Sequence, residues 1–182
     1  RFEDLGLSPF AAAGLDDYYL PFTVPAVTDF GRAAEGDTAQ AENVIGILPG
    51  TTRPDSYVFV GAHYDHIGVW PDGQVCNGAD DDATGVAAVL EAARILSQFD
   101  TRPQDDLVFV AFSGEEIGAL GSQALCQQLA GAGLADQSIP AERNFLDIKQ
   151  LANTILNRTG AFNNLWLLAL RYASLVYDHT AI

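Results

Sequence analysis

Leu107-Val108-Phe109-Val110-Ala111-Phe112-Ser113-Gly114-Glu115-Glu116 is the stretch that decides the fold. Six consecutive apolar residues with no polar alternation read as a strand covered on both faces, as in the centre of an open α/β sheet. Two β-rich runs come earlier. Val44, Ile45, Ile47 and Leu48 stop at the turn signal Pro49-Gly50, Tyr57 to Ala62 follow, and the two are read as neighbouring strands. Between them and residue 107, Ala83 to Phe99 carries Val86, Val89, Leu90, Ala93 and Leu96 on one stripe, with Asp82 placed to cap the start. Helical sequence resumes from Glu115. Strand, loop, helix, strand and helix is the grammar of an α/β sheet, in which sites gather at the carboxyl ends of strands, here near residues 62–66 and 112–116.

The rest of the chain is less regular. Residues 1–42 read as an irregular lead-in with an edge strand at Tyr18 to Val24, and residues 43–182 as the α/β domain. Two further helices are predicted, one through Phe145, Ile148, Leu151 and Ile155 and one through Leu165, Leu168, Tyr172 and Leu175. With 182 residues, 48% of them hydrophobic, the chain is sized for about one domain. A net charge of −15 argues against nucleic acid or an anionic lipid surface as a partner. No apolar run approaches the roughly 18–20 residues that cross a bilayer. The chain opens on Arg1 and contains no Met, so it is expected to be a processed or partial chain. Cys76 and Cys126 fit one bridge or two thiols equally well, and they lack the spacing of a thiolate zinc site.

Three polar clusters fall where the topology predicts a site: Gly61-Ala62-His63-Tyr64-Asp65-His66, Gly78-Ala79-Asp80-Asp81-Asp82 and Ser113-Gly114-Glu115-Glu116. Singly, each has an ordinary reading as a surface histidine, a helix cap or a dipole-compensating acid pair. If the three meet in space, they bring an imidazole and several carboxylates together with few basic side chains, which calls for a cation. Imidazole nitrogen with carboxylate oxygens suits zinc, and a carboxylate can bridge two metal ions about 3.5–4 Å apart. Asp65, in His-x-Asp, is placed to accept the other imidazole N–H. Adjacent acids allow one to bind metal while the other takes a proton from water.

The strings GAHYDHIG, NGADDDATGVAAVLE and VFVAFSGEEIGALGS resemble the zinc aminopeptidases of metallopeptidase family 28, among them bacterial secreted leucyl aminopeptidases. NVIGILPG at residues 43–50 is similar as well, so the resemblance covers roughly residues 1–126. It implies a three-layer α/β/α fold with a mixed, mostly parallel sheet, whose C-terminal part is truncated or divergent here. It also implies two zinc ions, with His63 a ligand, Asp81 the bridge, Glu116 a ligand, Glu115 the general base and Asp65 the residue that orients His63. The implied activity is removal of the N-terminal residue from a peptide by a secreted or periplasmic enzyme. A further ligand Asp is expected beyond the Glu pair, for which Asp147 is the candidate, a solvated helical carboxylate being its alternative. His179 faintly matches the segment of the family's last histidine ligand, a frayed terminal histidine being its alternative. Asn157-Arg158-Thr159 forms a glycosylation sequon. Two other readings stand beside the aminopeptidase: a non-catalytic binding domain on the same scaffold, and a metal-dependent carboxypeptidase or deacylase. Oligomeric state is open.

Overall fold

The computed structural model describes residues 1–29, 32–70 and 72–134. The chain divides into two compact units, Arg1–Gln137 and Ser138–Ile182, and all described residues belong to the first. Asp147, His179, the Asn157 sequon and both predicted C-terminal helices lie outside the described residues.

Among the described residues a four-stranded sheet is formed by β1 (Tyr19–Asp29), β2 (Arg32–Leu48), β3 (Arg53–His63) and β4 (Asp105–Phe112), in the order β1-β2-β4-β3. Helix α1 (Thr84–Ser97) connects β3 to β4, and α2 (Leu120–Gly131) follows β4. The β1–β2 and β2–β4 pairs are antiparallel and only β3–β4 is parallel. The expected mostly parallel sheet is therefore corrected to a mixed, mostly antiparallel one. The expected neighbours β2 and β3 are also separated, because the crossover through α1 lays β4 against β3 and leaves the other edge of β4 to β2.

The lead-in is more ordered than its sequence suggests. β1 covers the expected edge strand and runs on to Asp29, while β2 begins at Arg32 rather than near Asn43. Residues 36–40 of β2 are exposed, so nothing in their pattern marks a buried face. Ahead of β1, Phe2, Leu7, Phe10 and Leu15 are buried against the sheet, and Ser8 pairs with Ile47.

β4 meets the expectation of a strand covered on both faces: Leu107 to Val110 are all buried. Its side chains alternate between two apolar clusters, as the two-residue period of a strand requires. Val108 and Val110 pack with Ile45, Ile47 and with Leu125 and Leu129 of α2. Leu107 and Phe109 pack with Leu48 and with Val89 and Ala93 of α1. Phe10 meets Tyr57 edge-on at 5.0 Å between ring centroids, a favoured aromatic geometry. At the turn after β2, a side chain on residue 50 would run into the Asp105 main chain, so glycine is required there. No helix among the described residues is long and apolar enough to cross a membrane.

Candidate metal centre

Parallel pairing of β3 with β4 builds the site. The register sets His63 opposite Phe112, so the chain leaving β3 and the chain leaving β4 emerge side by side. His63 ends one strand, and Ser113-Gly114-Glu115-Glu116 leaves the other. The third cluster arrives from the turn before α1, where Gly78 takes a left-handed conformation (φ 63°) and Ala79–Ala83 form a kinked turn with Asp81 and Asp82 in non-helical conformations. The Asp81–Asp82 peptide bond within it is cis.

One nitrogen and two carboxylates converge as a result. Ligand atoms of His63, Asp81 and Glu116 lie within 4.8 Å of one another. His63 Nε2 is 2.9 Å from Asp81 Oδ1 and 3.8 Å from Glu115 Oε2. His63 is largely shielded, with 12% of its side chain exposed, whereas Asp81 is 78% exposed. The imidazole is thus fixed from behind while the carboxylate faces open solvent. Burial opposes charge on His63, yet the Asp65 carbonyl together with Glu115, Asp82 and Asp81 outweighs it and raises the pKa above the usual imidazole value. Burial raises the Glu116 carboxyl, and Asp81, Glu115 and Asp65 push the same way against the opposing pull of His63. Carboxylates crowded this closely gain from a cation. A donor set of one imidazole nitrogen and two carboxylate oxygens fits zinc.

Asp65 holds the imidazole with a different atom from the one expected. The acceptor near His63 Nδ1 is the main-chain oxygen of Asp65 at 3.1 Å, while its carboxylate Oδ1 stands off at 3.7 Å. That carboxylate accepts instead the main-chain N–H groups of Glu115 and Glu116, each at 3.2 Å. Asp82, read as a cap, accepts Gly85 N–H at 3.1 Å and also accepts His63 N–H at 3.2 Å, tying the end of β3 to the start of α1. This second contact had no sequence signal, since it links residues nineteen apart in the chain.

The acid pair does not lie in a first helical turn. α2 starts at Leu120, because Gly114, Gly118 and Ala119 all take positive φ and interrupt the helix before it. Glu115 and Glu116 therefore sit on a loop, and dipole compensation by α2 does not account for them. Beside this loop a cavity of about 360 Å³ is lined by His66, Ile67, Cys76, Asp80, Asp81 and Glu116, among others. Cys76 is a free thiol, so the two cysteines are not bridged to each other.

An imidazole and carboxylates meeting at the carboxyl ends of two parallel strands, with one further acid alongside, define a candidate divalent-metal centre on a mixed α/β sheet. Residues 43–144, more than half of the chain, match the model of Peptidase family M28. The chain belongs to that family. It is 43% identical over 93 residues to a probable zinc metalloprotease of Pyrenophora tritici-repentis, covering 50% of this chain and 21% of that protein. It is 34% identical over 120 residues to leucine aminopeptidase 1 of Uncinocarpus reesii, covering 59% and 30%. Among solved structures, a zinc aminopeptidase from Bacillus subtilis aligns with a TM-score of 0.40 at 32% identity, over 48% of this chain and 20% of that one. The matches thus span only about a fifth to a third of the length of these relatives.

Proposed function

We propose that this chain contributes to zinc-dependent hydrolysis of peptide bonds at the N-terminus of peptides, with His63, Asp81 and Glu116 as ligands and Glu115 as general base. The convergence of the three donors beside a fourth acid carries this reading. Family membership and the printed names of zinc metalloprotease and leucine aminopeptidase relatives support it. When bound, zinc supplies Lewis-acid polarisation and a lowered water pKa. Glu115 is 48% exposed and outside the three-donor group, so its carboxylate is available to take a proton from the attacking water and return it to the leaving amine. Asp81, the most open of the donors, is our choice for the bridge between two ions. A cavity lined by Asp80, Asp81 and Glu116 suits the α-ammonium of a peptide, and Ile67 offers its side chain an apolar contact. Helices packed on opposite sides of β4 accord with a three-layer architecture, and a secreted or periplasmic setting is part of the same proposal.

Zinc analysis combined with hydrolysis of aminoacyl anilides tests this. In the wild-type chain, zinc is retained through dialysis and anilides with a free amino terminus are cleaved. Glu115→Gln keeps the zinc and lowers turnover by about 10²–10⁴-fold, whereas Glu116→Gln lowers zinc content. A wild-type chain that holds no zinc and turns over no anilide sinks the reading and leaves a binding module. Cleavage confined to N-acylated substrates points to the deacylase.

A further inference from the structure

Asn43 is fully buried and is the buried polar side chain among the described residues. It lies on β2 one step past the last β2–β4 pair, Val44 with Ala111, at the level where β4 leaves the sheet. Its carboxamide takes over there from the main-chain ladder. Oδ1 accepts Ser113 N–H at 3.1 Å, and Nδ2 donates to the Gly121 carbonyl at 2.7 Å. Ser113, just after β4, and Gly121, in the first turn of α2, flank the loop that carries Glu115 and Glu116. The loop closes on itself through Leu120 N–H to the Gly114 carbonyl at 2.9 Å and through Gly118 and Ala119 N–H to the Glu115 carbonyl. A side chain on residue 121 would collide with the Ser113 carbonyl and with Asn43 Oδ1, so glycine lets the two ends meet on the amide.

We infer that Asn43 is a positioning residue for the acid pair: a buried amide that ties both ends of the Ser113–Gly121 loop and so sets where Glu116 and Glu115 are presented. The inference deepens the zinc-site reading and rests on it for its effect on metal, while the tether itself stands on the hydrogen bonds alone. An apolar residue of similar size would fill the volume but would leave the buried Ser113 N–H and Gly121 carbonyl without these partners. Asp keeps the shape and the acceptor and removes the donor toward Gly121.

The test uses the full chain with Asn43→Asp, and Gly121→Ala as a second variant that leaves Asn43 in place and forces the loop ends apart. Amide hydrogen exchange is followed residue by residue without metal, and zinc is then titrated. In both variants the amides of Glu115, Glu116 and Leu120 are expected to exchange at least tenfold faster. Those of Val108 and Val110 in β4 keep the wild-type rate, and the zinc Kd rises about tenfold or more. Loop exchange within twofold of wild type overturns the inference, as does acceleration spread evenly over β4 and the loop, which is the mark of a purely structural amide. If Asn43→Asp fails to fold, Gly121→Ala decides by the same criteria. If the wild-type chain binds no zinc, the metal reading fails by itself and the exchange data still decide the tether.

Discussion

Replacing Asp65 separates two jobs that one side chain could hold. Two charge-assisted hydrogen bonds run from the Glu115 and Glu116 amides to its carboxylate, both at 3.2 Å, on a side chain 23% exposed. Buried bonds of this kind contribute about 1.5–3 kcal/mol each. Their length and partial exposure place the pair nearer about 2 kcal/mol in total, which corresponds to roughly 30-fold at 1.4 kcal/mol per decade. Asp65→Ala is therefore expected to weaken zinc binding by about 30-fold, within the range of about 10–100-fold seen when groups behind metal ligands are lost. The imidazole stays in place, because its partner is the Asp65 main-chain oxygen, which survives the substitution. Asp65→Asn removes the same charge but keeps one acceptor for the two amides, so it should fall between wild type and Ala. Isothermal titration with zinc measures the affinities, and nitrogen chemical shifts of the His63 ring report its tautomer. The reasoning is refuted if Asn and Ala weaken zinc equally, or if the imidazole changes tautomer in Asp65→Ala while the Glu115 and Glu116 amides stay protected.

Two further outcomes follow from the core and from the titrating groups. Phe109 is fully buried in the cluster beneath α1, so Phe109→Ala should lower unfolding free energy by about 3–5 kcal/mol, read from urea denaturation of the metal-free chain. His63 and Glu116 both have folded pKa values raised above their ordinary 6.5 and 4.5, so the folded chain binds more protons than the unfolded one and stability falls as pH rises. The Glu116 contribution is complete below pH 4.5 and fades through its raised value, and that of His63 is complete below 6.5 and fades above it. A metal-free wild type should thus lose more stability from pH 4.5 to 8 than His63→Ala/Glu116→Gln does. Zinc should reverse the trend, since its ligands bind deprotonated. Parallel pH profiles for the two metal-free proteins would contradict the assignment.

What the sequence disclosed was whatever local chemistry dictates. Leu107 to Phe112 reads as a doubly covered strand because burial on both faces leaves no polar alternation, and the structure buries Leu107 to Val110. The extension of β2 from Arg32 to Gln40 was illegible because a strand exposed at residues 36–40 has no apolar face to betray it. Strand order was illegible for a different reason: which edges pair is settled by contacts distant in sequence, here by α1 carrying the chain over so that β4 intervenes between β2 and β3. Glu115-Glu116 is good helical sequence, yet positive φ at Gly114, Gly118 and Ala119 overrides it and delays α2 to Leu120.

The candidate donors were legible because an imidazole and carboxylates clustered at strand ends together fit a metal site, and the structure brings His63, Asp81 and Glu116 within 4.8 Å of one another. The contacts that hold them were not, since main-chain N–H groups donating to a carboxylate, or an amide donating to a carbonyl, some fifty to eighty residues away leave no spacing to detect. Asn43 shows the difference. In sequence it only marks where an apolar run begins, yet a polar side chain at the mouth of a buried strand has to find partners for its N–H and C=O groups. The main chain that supplies them is Ser113, where β4 leaves the sheet, and Gly121 at the start of α2. A buried polar residue at the head of an apolar run, here within β2, therefore ties down the loop at the same end of the sheet, and in this chain that loop carries the acids.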